Sequence, residues 1–258
     1  MNVLVGIGDS WTQGEGGYPE SLWKENNGRM WKPLSESKHL IPIENSNSWV
    51  KQLADILSYV PINLGQRAIG NRGAVKTLYL NNINDYPKGV IIFLLAPFSR
   101  FDFFSEDWKT EHYKFQTLHP GMANKDRNIF YTNNFYNEQA EAIETICNIL
   151  EAQTFAKANG FDFIFANAFE LKGKDYLIQQ CPEIANKINW KCYLHEYVDY
   201  KCLAQLLVRK DGLCSDDYES VINYYPKMAY PATYMTNDFH PTIKGYRVIA
   251  EEIKRVFF

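Results

Sequence analysis

The sequence predicts an α/β protein built on a parallel sheet, and three observations carry this. Val3–Gly8 and Val90–Leu95 are continuous apolar or small-residue runs without alternation, as strands buried on both faces require. Such runs alternate with stretches of helical period, which implies βαβ units with right-handed crossovers. Three long irregular segments, 11–46, 96–134 and 167–236, each leave the carboxyl end of a strand. They therefore gather on one edge of the sheet, where open α/β sheets bind ligands.

Taken in order, Val3–Gly8 is the first strand, and residues 11–46 follow with no sustained period. From Ser48 onward Trp49, Val50, Leu53, Ala54 and Leu57 recur at helical spacing, with Asn47 or Ser48 as N-cap. Tyr59–Leu64 is a second strand that ends in the Gly- and Asn-rich turn Gly65–Gly73. A short helix runs from about Ala74 to Ile83, and Val90–Leu95 is the third strand. Asn137–Ala158 is the longest helical pattern and stops at Asn159-Gly160, where Gly suits a left-handed cap. Phe161–Ala166 is the fourth strand. The last helix starts near Thr242 and carries Val248, Ile249, Ile253 and Val256 inward.

Composition narrows the function. In 258 residues, Lys+Arg number 27 and Asp+Glu 30, giving a formal net charge of −3. No basic run occurs, so nucleic acid is not an expected partner. Hydrophobic residues at 46% and charged residues at 22% exclude a disordered or fibrous chain. Without repeat or linker, residues 1–258 read as a single domain with long insertions.

The longest apolar run, Val90–Phe98, is far short of a bilayer span, so no membrane partner is expected. The start MNVLVGIGDS lacks a cationic region and reads as a strand, not a signal peptide. A cytoplasmic location, or one within a virus particle, is the expectation. Cys147, Cys181, Cys192, Cys202 and Cys214 show no CxxC spacing, so reduced, buried thiols are expected in place of zinc or a disulfide framework. No cofactor or metal is expected. His39, His112, His119 and His195 form no ligand spacing, and the Gly6–Asp9 turn lacks a phosphate-loop pattern.

Aromatic residues reach 15%, many outside the periodic segments: Trp11, Trp23, Trp31, Trp108, Tyr224, Tyr225, Tyr230 and Tyr234. They either fill cores beneath loops or form a stacking surface for sugar rings.

The chemistry concentrates at the two ends of the chain. Gly8-Asp9-Ser10 lies at the exit of the first strand. Asp238-Phe239-His240-Pro241-Thr242 immediately precedes the last helix. Serine is a poor nucleophile at neutral pH and needs an adjacent base, commonly a histidine oriented by a third group. A serine after strand one and a histidine before the last helix can reach the same sheet edge.

On these motifs the chain resembles the SGNH/GDSL hydrolase superfamily. IGDSWTQG at Ile7–Gly14 is similar to its first block, and HPTIKGY at His240–Tyr246 to its last. The resemblance implies a three-layer α/β/α, flavodoxin-like fold. Ser10 would be the nucleophile and His240 the base. The backbone N–H groups of Ser10 and of a second-block glycine, Gly70, would form the oxyanion hole.

The sequence departs from that pattern twice. The third block's Asn is missing from Leu94-Leu95-Ala96-Pro97-Phe98-Ser99-Arg100, and Asn71, Ser99 or Arg100 would have to stand in. The family's acid lies three residues before the histidine, where this chain has Asn237. Either Asp238, the preferred choice, orients His240 or Asn237 does so through its amide oxygen.

The expected activity is acyl-ester hydrolysis, with an acylated carbohydrate ahead of a lipid. The long segments mix rings with amides, as in Tyr131-Thr132-Asn133-Asn134-Phe135, and show no amphipathic lid. The alternative is an SGNH scaffold weakened in catalysis that serves as a binding or structural component. SGNH-like domains with irregular third blocks resemble those of bacteriophage-encoded proteins, so a virion or tail part fits that alternative.

Overall fold

The computed structural model describes residues 2–19, 21–22, 38–86, 88–104, 115–118, 126–169, 172–213, 233–236 and 239–258. In chain order the elements are β1 (Val3–Ile7), α1 (Ser10–Gln13), α2 (Ile41–Asn47), α3 (Trp49–Leu57), β2 (Val60–Asn63), α4 (Asn71–Leu80) and β3 (Gly89–Leu95). They continue as β4 (Phe101–Phe104), β5 (Phe115–Leu118), α5 (Asp126–Asn134), α6 (Glu138–Ala158), β6 (Asp162–Asn167), α7 (Lys174–Gln180) and α8 (Pro182–Ala185). Last come α9 (Leu203–Lys210) and α10 (Ile243–Phe257).

The main sheet runs β2-β1-β3-β6, all parallel, with Val5 opposite both Ile62 and Ile91 and Phe93 opposite Phe165. Beyond β6, Phe165 makes one parallel bridge to Tyr193, so the sheet continues there as a single residue pair.

Side-chain alternation sorts the strands into two cores. Leu4, Ile92, Leu94, Ile164 and Ala166 face α3, α9 and α10, where Trp49, Leu207 and Ile249 are fully buried. Val5, Ile7, Ile91, Phe93 and Phe165 face α4 and α6, packing with Val75, Ile146 and Ile149. Helices thus cover both faces, and the architecture is the expected three-layer α/β/α. Truncating a residue such as Ile92 to Ala would cost about 2–5 kcal/mol, because both neighbouring strands and a helix enclose it.

Ser48 is the N-cap expected of it, and the helices expected from Asn137 and near Thr242 are capped by those residues. Ser48 caps α3 by accepting from Lys51 N at 3.3 Å, Asn137 caps α6 from Ala140 N at 3.0 Å, and Thr242 caps α10 from Gly245 N at 3.2 Å. Gly160, with φ 74°, ends α6 in the left-handed region.

Other expectations need correction. The segment read as 11–46 without period contains α2, whose Pro42 occupies a first-turn position that tolerates a missing N–H. Segment 96–134 contains an antiparallel β4–β5 pair and α5, with Phe101 opposite Leu118. Helix α4 begins at Asn71, three residues before the expected start, because Asp102 caps it through space. Of the described cysteines only Cys202 is buried; Cys147 is exposed, and Cys181 and Cys192 are partly buried. Cys214 lies outside the described residues.

Candidate active site

Strand β1 delivers the chain to the sheet's carboxyl edge and turns it at once. Gly8 has φ 147°, and a Cβ there would sit 2.4 Å from Thr12 Oγ1 and 2.6 Å from the Leu94 carbonyl oxygen. Only glycine lets the turn fit so closely. Asp9, fully buried, then caps α1 by accepting from Trp11 N at 3.0 Å, and Ser10 is the first residue of that helix.

His240 is fixed from several sides. Its N–H donates to Thr236 Oγ1 at 3.0 Å, and its carbonyl accepts from Thr236 N at 2.8 Å. Phe239 just before it has φ 63°, and its carbonyl accepts the Trp11 indole N–H at 3.0 Å. The loop after α1 packs against the same residue: Gly16 has φ 92°, and a Cβ there would lie 2.6 Å from His240 Cβ.

The result is that His240 Nε2 lies 2.9 Å from Ser10 Oγ, across 230 positions of sequence. The same nitrogen lies 3.3 Å from Glu15 Oε2. With Nε2 unprotonated the ring accepts the serine hydroxyl proton; once Nε2 is protonated, the Glu15 carboxylate is close enough to interact with it.

Behind Glu15 lies a buried polar cluster. Arg67 pairs with Glu44, which is fully buried and also accepts from the Tyr18 hydroxyl and Gln13, and Arg67 Nη1 is 3.5 Å from Glu15 Oε1. Burial opposes the charge on Arg67, but Glu15 and Glu44 outweigh it and hold its pKa above the ordinary value. Burial, together with Glu44, pushes the Tyr18 phenol up, so it stays a neutral donor.

Oxyanion donors can be sorted by which N–H groups are already used. The N–H groups of Ser10 and Ala68 have no acceptor among the described residues. Ala68 has φ 60° and stands exposed between two clamps: Gln66 N donates to Gly8 O at 3.1 Å, and Arg67 N to Gln13 Oε1 at 2.9 Å. The Gly70 N–H, expected as a donor, instead donates to Asp102 Oδ1 at 2.8 Å, while Gly73 N donates to Oδ2 at 2.7 Å. Gly70 is therefore engaged in this conformation. Burial pushes the Asp102 carboxyl up, against hydrogen bonds from Thr117, Gly73 and Gly70 that pull it down.

The accessory candidates separate. Asn71 is structural: its side chain exchanges two hydrogen bonds with the Ala96 backbone, at 2.8 and 3.1 Å, tying α4 to the end of β3. Ser99 lies in the turn after β3 with no side-chain hydrogen bond among the described residues. Arg100 reaches Asp9 Oδ2 at 2.8 Å, next to the nucleophile. Asn237 and Asp238 lie outside the described residues. Glu15, Ala68 and Asp102 were not among the expected site residues. Asp102 lies in a four-residue strand too short to carry a periodic signal, and Glu15 had only its closeness to Ser10.

No His, Cys, Asp and Glu cluster able to hold a metal ion occurs among the described residues. No described helix is long and apolar enough to cross a membrane.

No family model matches the chain, and no curated protein matches it. Among solved structures it is similar to a protein assigned to the lipolytic G-D-S-L family from Desulfitobacterium hafniense DCB-2, at 12% identity and TM-score 0.49 over 100% of both chains. It is also similar to a member of that family from Veillonella parvula DSM 2008, at 12% identity and TM-score 0.41 over 100% of this chain and 98% of the other.

Proposed function

We propose that the protein is a serine ester hydrolase of the SGNH type. The observation that carries this is the 2.9 Å approach of His240 Nε2 to Ser10 Oγ at the carboxyl edge of the sheet. Ser10 attacks the ester carbonyl while His240 takes its proton. The tetrahedral oxyanion is held by the N–H groups of Ser10 and Ala68, the latter in place of Gly70. His240 returns the proton to the departing alcohol, and water, activated by the same ring, releases the acid. Asp238 or Asn237 orients the imidazole.

The proposed substrate is an acylated, above all acetylated, carbohydrate. Support comes from the aromatic segments of the ligand edge, where Phe130 and Phe135 are 60% and 66% exposed. Trp11 is core and Tyr131 is buried, so neither offers a stacking face. Acetate release from acetylated xylan should exceed hydrolysis of long-chain esters; a clear preference for long acyl chains would overturn the carbohydrate reading.

Ser10→Ala should abolish turnover of short p-nitrophenyl esters while circular dichroism stays unchanged. Undiminished turnover in that variant rules the mechanism out. Two observations favour a second reading, a scaffold without catalysis such as a virion or tail component: the engaged Gly70 N–H and the absent Asn after β3. That reading predicts no ester turnover by the native protein.

A further inference from the structure

On the hydrolase reading, Arg100 holds a position of consequence for the reaction. Arg100 follows β3 and sits between the two loops that carry the proposed oxyanion donors. A single guanidinium nitrogen, Nη1, donates to Asp9 Oδ2 at 2.8 Å and to the Ile69 carbonyl at 3.1 Å. Asp9 immediately precedes Ser10, and Ile69 immediately follows Ala68. One nitrogen thus ties the side chain of the residue beside one donor to the backbone beside the other.

The tie is stiff at both ends. Asp9 is fully buried and its second oxygen caps α1, so it cannot follow a wandering partner. Ile69 is buried, and the N–H of that same peptide, on Gly70, donates to Asp102 at 2.8 Å. The guanidinium rests 5.6 Å from the centroid of the Phe169 ring, in cation–π range, and its side chain is only 15% exposed. Arginine carries five N–H groups, and those on Nε and Nη2 have no acceptor among the described residues. The charge is ion-paired with Asp9, so it acts on a developing negative charge as the positive end of that pair in a partly desolvated setting.

We infer that Arg100 is a positioning residue for ester hydrolysis: it sets the spacing between the Ser10 and Ala68 N–H groups and places positive charge beside the oxyanion they hold. Its effect belongs to the transition state, because a neutral ground-state ester presents no full charge to it.

The test compares native protein, Arg100→Ala, Arg100→Lys and Ser10→Ala on p-nitrophenyl acetate, with affinity for a small alkyl boronic acid, which forms a tetrahedral anion on an active serine. Arg100→Ala should lower kcat about tenfold to a hundredfold, less than loss of a direct oxyanion donor, with KM within about threefold. Boronate affinity should fall by the same factor as kcat. Arg100→Lys keeps the charge and should recover part of both. Should Arg100→Ala fail to fold, Arg100→Gln decides by the same kcat criterion. An unchanged kcat in a folded variant, or a change confined to KM, overturns the inference while leaving the hydrolase reading intact. Activity surviving in Ser10→Ala would instead sink the reading on which it rests.

Discussion

His195 should make the fold acid-sensitive between pH 6.5 and 4. Its Nε2 accepts from Asn167 N at 3.1 Å, and its Nδ1 faces the Tyr200 carbonyl at 3.1 Å, so the ring is neutral with the proton on Nδ1. Protonating Nε2 would set two donors against each other at the end of β6. Burial lowers the pKa from 6.5 to about 4, although the hydrogen bond to the Tyr200 carbonyl pulls the other way. Part of the ring surface reaches solvent, but both nitrogens are enclosed by backbone, and they are where the charge would reside.

The sign follows from a depressed folded pKa in a base. The folded protein binds fewer protons than the unfolded chain, so this contribution is complete above pH 6.5 and is lost as pH falls toward 4. At about 1.4 kcal/mol per pH unit the whole effect is at most about 3 kcal/mol, of which about 2 kcal/mol is gone at pH 5. Urea unfolding at pH 7.5 and pH 5 measures it, with His195→Gln as the control that cannot titrate. The native protein should lose about 2 kcal/mol more than the variant between the two conditions. Equal losses in both would refute the assignment of a neutral, backbone-locked ring.

Two further predictions concern the loops around the serine. Ala68→Gly relieves a left-handed Ala and keeps the N–H, so ester turnover should persist and stability should rise by about 0.5–1 kcal/mol in chemical denaturation. A fall in stability would show that Ala68 is not strained. Asp102→Asn leaves one amide oxygen for two N–H donors, Gly70 and Gly73, and turns an NH₂ toward them. Stability should drop by about 1–3 kcal/mol, and kcat should drop with it as the 68–70 loop shifts; an unaffected kcat would uncouple that loop from catalysis.

Much of this was legible in the sequence where burial sets the pattern. Val3–Ile7 and Gly89–Leu95 lie between two helical layers, so nearly every residue is apolar or small and no alternation blurs the reading. The meeting of Ser10 and His240 was foreseeable because each sits in a short, distinctive motif at the same sheet edge. The hairpin partners β4 and β5 were not read, since four-residue strands in an aromatic stretch carry too few periods to stand out. The hydrogen bond from Gly70 N to Asp102, 32 positions away, was not legible, because capping through space leaves no local signature. Glu15 was hidden for a similar reason: its approach to His240 exists only once β1 and α10 have been brought together.

The central claim is that His240 activates Ser10, and the rate of covalent labelling by a fluorophosphonate tests it most directly. In the native protein, mass mapping should place the adduct on Ser10. His240→Ala should slow its formation at least about a hundredfold, within the range that general-base assistance supplies. Equal labelling rates with and without the His240 ring, or no adduct on Ser10 at all, would contradict the account.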